Sequence, residues 1–178
     1  MNISVIIEGL SFFVFINDAS YSPIIIIIII IITIITINPY YKYTPAKLLE
    51  NENFKLYWNR SILTDKTILF NRPDIAFMNK KTKNTFLIDI AVPNTHNLAK
   101  TITDKQNKYQ ELANEICAMW KQKAEQVVPI VISSTGVIPK SLPQSLTRLN
   151  FHPNTYIQLQ KSVILGTCSI VRNFLNYK

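Results

Sequence analysis

The chain has 178 residues and a net charge of +8, with 19 lysine and arginine residues against 11 acidic ones. Its three glycines are too few for a glycine-rich phosphate loop. Cys117 and Cys168 are far apart, and His96 and His152 are isolated, so neither a structural zinc nor a disulfide framework is predicted. The length accommodates one ordinary domain with its own core.

The positive charge lies entirely outside the N-terminal region. Residues 1–41 contain no lysine or arginine, and Glu8 and Asp18 are their only acidic residues. Residues 42–178 therefore carry 19 basic against 9 acidic residues, a net charge of +10. Such a surface favours a polyanionic partner, nucleic acid before a membrane surface, and a solvated basic surface without a partner is the alternative.

Residues 1–38 form an apolar, low-complexity segment that includes an isoleucine-rich run at 24–37. As a helix this run would extend roughly 21 Å, which is shorter than the ~30 Å hydrocarbon core of a bilayer. With its uncharged flanks, 21–41, it would just span a membrane, with tyrosines at both ends as interfacial anchors. An unbroken isoleucine run also resembles a translated simple repeat, and we favour this interpretation over a membrane segment. A cleaved signal peptide is not predicted, because no basic residue precedes the apolar stretch.

The next segment, 39–66, leads into the predicted domain 39–178. A short helical turn is expected within 46–52 and a first strand within 54–63. Two further apolar strands, 70–78 and 85–92, are joined by the polar turn NKKTKN.

Each strand of this hairpin contains one aspartate, Asp74 in the first and Asp89 in the second. A symmetric turn centred between Lys81 and Thr82 places the two opposite each other, with Cβ atoms about 4.5–5.5 Å apart. Two carboxylates that close repel, and in an apolar strand each also bears a desolvation cost. A hard divalent cation such as Mg²⁺ relieves both effects. Pairing of each aspartate with a lysine or arginine is the alternative.

A helix is predicted from 97 to 123, with one apolar face that covers the sheet. Lys105 lies within this face and Lys108 at its edge. Asp89 is three residues, roughly 10 Å, from the end of its strand, and the same drop along the helix ends near Asp104 and Lys105. A lysine ammonium is therefore expected beside the carboxylate pair, and solvation of both lysines by snorkelling is the alternative.

A fourth strand is predicted at 127–132, at a sheet edge or bulge because it contains Pro129. Helices are predicted at 141–149 and 155–175. The second of these has an apolar stripe that is expected to be buried and comprises Leu159, Val163, Ile164, Cys168, Val171 and Leu175.

The sequence Arg72-Pro73-Asp74, fourteen intervening residues and Asp89 resembles the core motif of PD-(D/E)xK nucleases. It is most similar to the restriction-enzyme-like endonuclease domain at the C-terminus of site-specific non-LTR retrotransposon polyproteins. The resemblance begins near Pro39 and includes the segments LENENFKLYWNRSILTDKTILFNRPDI, FLIDIAVPNTHN, KQNKYQEL and VILGTCSIVRNFL. It implies an α/β fold with a restriction-endonuclease-like core, a mixed sheet of about four strands and flanking helices.

Two features depart from the family pattern. The motif formula places a lysine two residues after the second acid, where this chain has Ala91. The retrotransposon branch instead has its lysine on the following helix, in a K-x-x-K-Y setting that Lys105, Lys108 and Tyr109 match. The reverse transcriptase and the zinc-binding and basic segments of the family do not precede the domain here, so we expect a truncated copy.

The resemblance implies hydrolysis of DNA phosphodiesters with Mg²⁺ or Mn²⁺ as cofactor. Asp74 and Asp89 would hold the metal, with the backbone carbonyl of Ile90 as a further ligand, and Lys105 or Lys108 would act in catalysis. Contacts to nucleic acid are expected from a set of basic side chains: Arg72, Lys80, Lys81, Lys83 and Lys100.

DNA is the expected partner, with RNA of the parent element as a second one. The protein is expected inside the cell, and in the nucleus if it acts as a retrotransposon endonuclease. Two alternatives are a catalytically inactive fragment with a nucleic-acid-binding surface and a protein anchored in a membrane through 21–41.

Overall fold

The computed structural model describes residues 3–7, 10–14, 47–152 and 154–176, with backbone only for the first two ranges and for residues 124 and 125. The isoleucine-rich run and the predicted span 21–41 lie outside these residues. Within the described part of the chain, no helix combines the length and apolar character needed to cross a bilayer.

The fold is α/β, with a mixed sheet of five strands flanked by helices. The strands lie in the order β3-β4-β5-β6-β7, and only the last pair is parallel. A separate antiparallel pair, β1 and β2, is formed near the N-terminus. The strand bounds are β1 Ile3–Ile7, β2 Leu10–Val14, β3 Leu48–Glu50, β4 Phe54–Trp58, β5 Ile75–Asn79, β6 Asn84–Ala91 and β7 Ala124–Val131.

The main sheet has one strand more than the four predicted, because β3 forms where a helical turn was expected. Asn51 ends β3, and its side-chain oxygen accepts hydrogen bonds from the backbone N–H groups of Asn53 and Phe54, both at 2.8 Å. This side-chain turn reverses the chain within three residues, so that Leu49 lies opposite Leu56 on β4. The turn at Asn51 together with pairing to β4 therefore favours a strand over the expected helical turn.

The helices lie on both sides of the main sheet. A short 3₁₀ helix, Thr95–Asn97, leads into α1, and the bounds of the four helices are α1 Leu98–Lys108, α2 Gln110–Met119, α3 Ser141–Arg148 and α4 Thr155–Asn176. The predicted single helix 97–123 is thus two helices, which meet at Tyr109, where the backbone has φ −106° and ψ 7°. The parallel β6–β7 pair is joined through α1 and α2, as parallel strands require a crossover connection.

Strand β5 begins at Ile75, five residues later than the predicted start at Phe70. Pro73 has no N–H to donate to a ladder, and residues 59–73 instead form a loop between β4 and β5. Pro129 lies in β7, which is the last strand at one edge of the main sheet, as the proline indicated.

The sheet has two apolar faces. One face packs against α3 and α4 through a large cluster that includes Leu56, Ile88, Ile130, Leu146 and Leu159. The other packs against Tyr109 and α2 through a smaller cluster that includes Ala76, Leu87, Leu112 and Ile116, whereas α1 contributes no buried residue. The apolar face predicted for helix 97–123 is therefore buried only from Tyr109 onward. Successive residues of β6 alternate between these clusters, because side chains along a strand point to opposite faces.

The predicted burial of α4 is confirmed only for its first half. Leu159 and Val163 are buried, but Ile164, Cys168, Val171 and Leu175 are exposed, so this part of the prediction is wrong. Among the described residues, the sheet and α3 cover α4 only as far as Val163. Helical periodicity identifies an apolar stripe but not how much of it has a partner.

Candidate active site at the end of the central hairpin

The two aspartates of the hairpin lie opposite each other, as the symmetric turn predicts. Strand β5 pairs with β6 in the register Ile75 to Ile88, and one further step places Asp74, just before β5, opposite Asp89. Since side chains alternate along a strand, both carboxylates lie on the face covered by α1 and α2. The pair therefore lies at one end of the sheet, under a helix.

Asp89 is almost completely buried, with 2% of its surface exposed. Its Oδ2 is in direct contact with the Nζ of Lys105 from α1. This ammonium is the partner that the structure gives to the buried carboxylate, and it compensates for the burial of the charge.

Asp74 is partly buried, and its Oδ2 accepts a hydrogen bond of 2.7 Å from the backbone N–H of Ile90. Burial raises the pKa of Asp74, and the negative charge of Asp89 raises it further. The hydrogen bond from Ile90 and the charges of Lys105 and Lys108 act in the opposite direction without cancelling the effect. The two carboxylates thus experience each other's charge, as the sequence predicted.

Tyr109 connects the helical side of the site to the loop before Asp74. It is buried, with 1% of its surface exposed, and its hydroxyl donates a 3.0 Å hydrogen bond to the carbonyl oxygen of Arg72. Burial raises the pKa of Tyr109 well above its ordinary value, and the nearby charge of Asp89 adds to this effect. The hydroxyl is therefore a neutral donor, and it fixes the Arg72 backbone against the junction of α1 and α2.

The two candidate lysines have different surroundings. Lys105 lies against Asp89, at the level that matching the helix to the strand predicted. Lys108 lies with its Nζ 4.6 Å from the ring centroid of Tyr109 and 5.3 Å from that of Phe70. Such cation–π contacts hold the ammonium over the two rings, although its charge still reaches Asp74.

Ala91 lies two residues after Asp89 on the same face of β6, where the motif formula has lysine. The chain places an ammonium beside Asp89 from α1 instead. Lys105 on α1 therefore brings its ammonium to the carboxylate pair from the helix, whereas a lysine at position 91 would bring it from strand β6.

The predicted nucleic-acid contacts are not all close to this site. The turn between β5 and β6 contains Lys80, Lys81 and Lys83, at the far end of the hairpin and roughly 20 Å from the carboxylates. Lys80 forms a 2.7 Å ion pair with Glu50 and also donates to the carbonyl of Asn51, whereas Lys81 and Lys83 are exposed.

The other two predicted contacts lie nearer to the carboxylates. Arg72 is two residues before Asp74, is exposed, and its Nε donates a 3.0 Å hydrogen bond to the side chain of Asn59. Lys100 is exposed in the first turn of α1, on the helix that carries Lys105.

The residues of the site fit a hard divalent cation with few protein ligands. Within the described ranges, no three histidine, cysteine, aspartate or glutamate side chains cluster to hold a metal. Asp74 and Asp89 provide two carboxylates, and a cation at the buried Asp89 oxygen would take the place of the Lys105 ammonium. Mg²⁺ commonly binds through one or two carboxylates and keeps several waters, so this donor set suits it.

Sequence reasoning missed the backbone N–H of Ile90 as a partner of Asp74 and the bond from Tyr109 to Arg72. The tyrosine of the K-x-x-K-Y pattern was a signal for the second contact, because a buried hydroxyl requires an acceptor.

No protein-family model matches the chain, and no curated protein is significantly similar to it. The chemistry of the site must therefore be inferred from its own residues.

Proposed function

We propose that this chain is a metal-dependent DNA endonuclease with a restriction-endonuclease-like PD-(D/E)xK core, of the kind found in non-LTR retrotransposon polyproteins. The observation that carries the proposal is the placement of Asp74 opposite Asp89, with Lys105 against the second carboxylate. Two opposed carboxylates and an ammonium on one face suit the charges of phosphodiester hydrolysis better than a purely structural role.

Asp74 and Asp89 would hold Mg²⁺ or Mn²⁺, with the backbone carbonyl of Ile90 as a further ligand. When bound, the metal supplies an activated water and neutralises charge on the scissile phosphate. The N–H of Ile90 holds the Asp74 carboxylate in place through its 2.7 Å hydrogen bond, so this ligand is oriented before any cation arrives.

Lys105 is the lysine that we assign to the reaction. It is partly buried beside Asp89, where an ammonium interacts more strongly with a developing negative charge than it would in water. It would stabilise the charge that forms on the phosphate oxygens in the transition state. Lys108, held over Phe70 and Tyr109, would add to the positive potential around the phosphate without direct contact with the reacting atoms.

DNA binding would depend mainly on charge, since residues 42–178 have a net charge of +10. Arg72 and Lys100 are close enough to contact phosphates near the site. Lys81 and Lys83 lie one hairpin length away, and their roughly 20 Å separation from the site corresponds to about six nucleotides along one strand. Binding of this kind weakens steeply with salt and depends little on sequence.

An inactive fragment that binds nucleic acid is the second candidate, and one observation favours it. The ion pair between Lys105 and Asp89 balances the two charges without a cation. A protein of this kind would bind DNA through the same basic surface and would never cut it.

The test is nicking of supercoiled plasmid by the full chain with Mg²⁺ or Mn²⁺, beside the variants Asp74→Ala and Asp89→Ala. We expect metal-dependent nicking that both substitutions abolish. A folded protein that binds the plasmid but leaves it intact under all metal conditions would contradict the endonuclease proposal and support the inactive fragment.

A further inference from the structure

The loop 59–73, between β4 and β5, is held firmly at its base beside the candidate site. The backbone N–H of Asn59 donates to the carbonyl of Asp74 at 2.7 Å, and that of Ile62 donates to Asn71 at 2.8 Å. Ile62 and Ile68 are buried in the smaller cluster, beneath α2. The position of the loop is therefore coupled to that of Asp74.

The tip of this loop, residues 63–70, exposes three large apolar side chains. Leu63 is 86% exposed, Leu69 is 82% exposed and Phe70 is 45% exposed. Single exposed apolar residues are common, but three within eight residues beside a candidate active site indicate an interaction surface. Ile62, just before the tip, and Ile68, within it, are buried, so the same loop buries some of its apolar side chains and exposes these three.

We infer that the loop tip contacts DNA by pressing apolar side chains against nucleotides beside the scissile phosphate, an inference that rests on the proposed function. Leu69 and Phe70 precede Asp74 by five and four residues, so they lie within about 18 Å of it along the chain. That distance covers about five nucleotides of one strand. A strand that is held at the carboxylates and runs toward the loop would therefore come within reach of the tip.

The charges around the tip favour nucleic acid over an apolar protein partner. Loop 59–73 contains three basic residues, Arg60, Lys66 and Arg72, against one acidic residue, Asp65. Lys66 is paired with Glu115, but Arg60 and Arg72 are exposed, and Lys108 lies over the ring of Phe70. Apolar side chains ringed by positive charge suit bases flanked by phosphates.

The apolar side chains specify what part of the DNA is contacted. Leucine and phenylalanine gain nothing from a phosphate, but they gain from the face of a base that has left its stack. In an intact duplex those faces are covered by neighbouring bases. The loop tip therefore acts as a wedge that opens the duplex next to the cut, and its effect should vanish on DNA that is already open.

The test compares the unmodified protein with the double variant Leu63→Ala/Leu69→Ala, which leaves Phe70 in contact with Lys108, on a paired duplex and on the same duplex with a mismatched bubble. The variant should nick the paired duplex about tenfold more slowly, a change that corresponds to about 1.4 kcal/mol of lost apolar contact with the opened bases. It should nick the bubble substrate nearly as fast as the unmodified protein. Leu165→Ala, which removes an apolar side chain that is 52% exposed on α4, is the matched control and should behave normally.

A second measurement separates this inference from the endonuclease proposal. With Ca²⁺ as the metal, binding to a duplex that contains 2-aminopurine should increase its fluorescence, because the probe brightens when unstacked, and the double variant should lose the increase. This result supports the wedge even if no protein nicks DNA. Equal fluorescence, or equal loss of nicking on paired and bubble substrates, would overturn it and assign the tip to another partner, such as a protein.

Discussion

The two faces of the same sheet are built for different purposes. The face under α3 and α4 buries a large apolar cluster, and the buried polar side chains of those two helices are uncharged hydroxyl groups. The face under α1 and α2 combines an apolar cluster with two carboxylates, two lysines and a buried tyrosine hydroxyl. Strand β6 shows the contrast most directly, because Ile88 faces one side and Asp89 the other. A buried charge beside an otherwise sufficient core indicates selection for something other than stability.

The smaller face therefore carries costs that the larger one does not. Asp89 is a buried charge that needs Lys105 as its partner, and the charge of Asp89 also acts on Asp74. A fold that needed only stability would place apolar residues at both positions. The four predictions that follow test this difference between the faces.

Among the lysines, the largest effect on activity is expected when Lys105 is removed. Lys105→Ala should slow nicking by about 10²- to 10³-fold, because the ammonium beside Asp89 would no longer stabilise the transition state. Lys108→Ala should slow it by no more than about tenfold, since this lysine is held over two rings. Single-turnover nicking rates measure both, with the exposed Lys161→Ala on α4 as control, and a larger loss from Lys108→Ala would reverse the assignment.

Neighbouring residues of β6 should separate stability from activity. Ile88→Ala should lower the free energy of unfolding by about 2–5 kcal/mol and leave nicking intact wherever the variant is folded. Asp89→Asn should abolish nicking with a much smaller change in stability, because Lys105 is one quarter exposed and can turn its charge to water.

Urea unfolding and nicking at a temperature where both variants are folded check this pair. A loss of stability from Asp89→Asn that matches the loss from Ile88→Ala would mean that the carboxylate is mainly structural.

Tyr109→Phe removes one hydroxyl and keeps the ring that packs on the core. The loss of the hydrogen bond to Arg72 should cost about 0.5–1.5 kcal/mol of stability. If the bond also positions Asp74, the maximal nicking rate should fall severalfold while the apparent affinity for DNA stays unchanged. A change in affinity alone, with the rate preserved, would place Tyr109 in binding and not in the alignment of the site.

The smallest effect concerns pH. Burial raises the pKa of Asp74 in the folded protein above its ordinary value of 3.8. As the pH rises, this carboxyl group therefore ionises at a lower pH in the unfolded chain than in the folded protein. The free energy of unfolding should therefore decline as the pH rises from about that value through the folded-state pKa of Asp74. Asp74→Asn should lack this part of the decline in metal-free buffer, and an unchanged pH profile of the unfolding free energy would show that Asp74 is well solvated.

The hairpin and its lysine could be predicted from the sequence because both depend on simple periods. A strand repeats every two residues, so the symmetric NKKTKN turn was sufficient to place Asp74 opposite Asp89. A helix rises by a fixed amount for each residue, so the level of Lys105 followed from the distance of Asp89 from the end of its strand.

Features that depend on tertiary partners could not be predicted in the same way. The break at Tyr109 follows from where its ring and hydroxyl are held, and the exposed half of α4 follows from where its neighbours end. The formation of β3 depended on the side chain of Asn51, which competes with helix formation only when a strand is available to receive the reversed chain.

The most direct test of the carboxylate pair is equilibrium binding of Mn²⁺ to the protein in the absence of DNA. The electron paramagnetic resonance signal of the free ion measures how much Mn²⁺ remains unbound. The proposed site predicts that the unmodified chain binds Mn²⁺, that Mg²⁺ competes for the site, and that Asp74→Asn and Asp89→Asn each weaken the binding strongly. Binding of equal strength in all three proteins would show that the opposed aspartates do not form a metal site and would remove the basis of the proposed endonuclease activity.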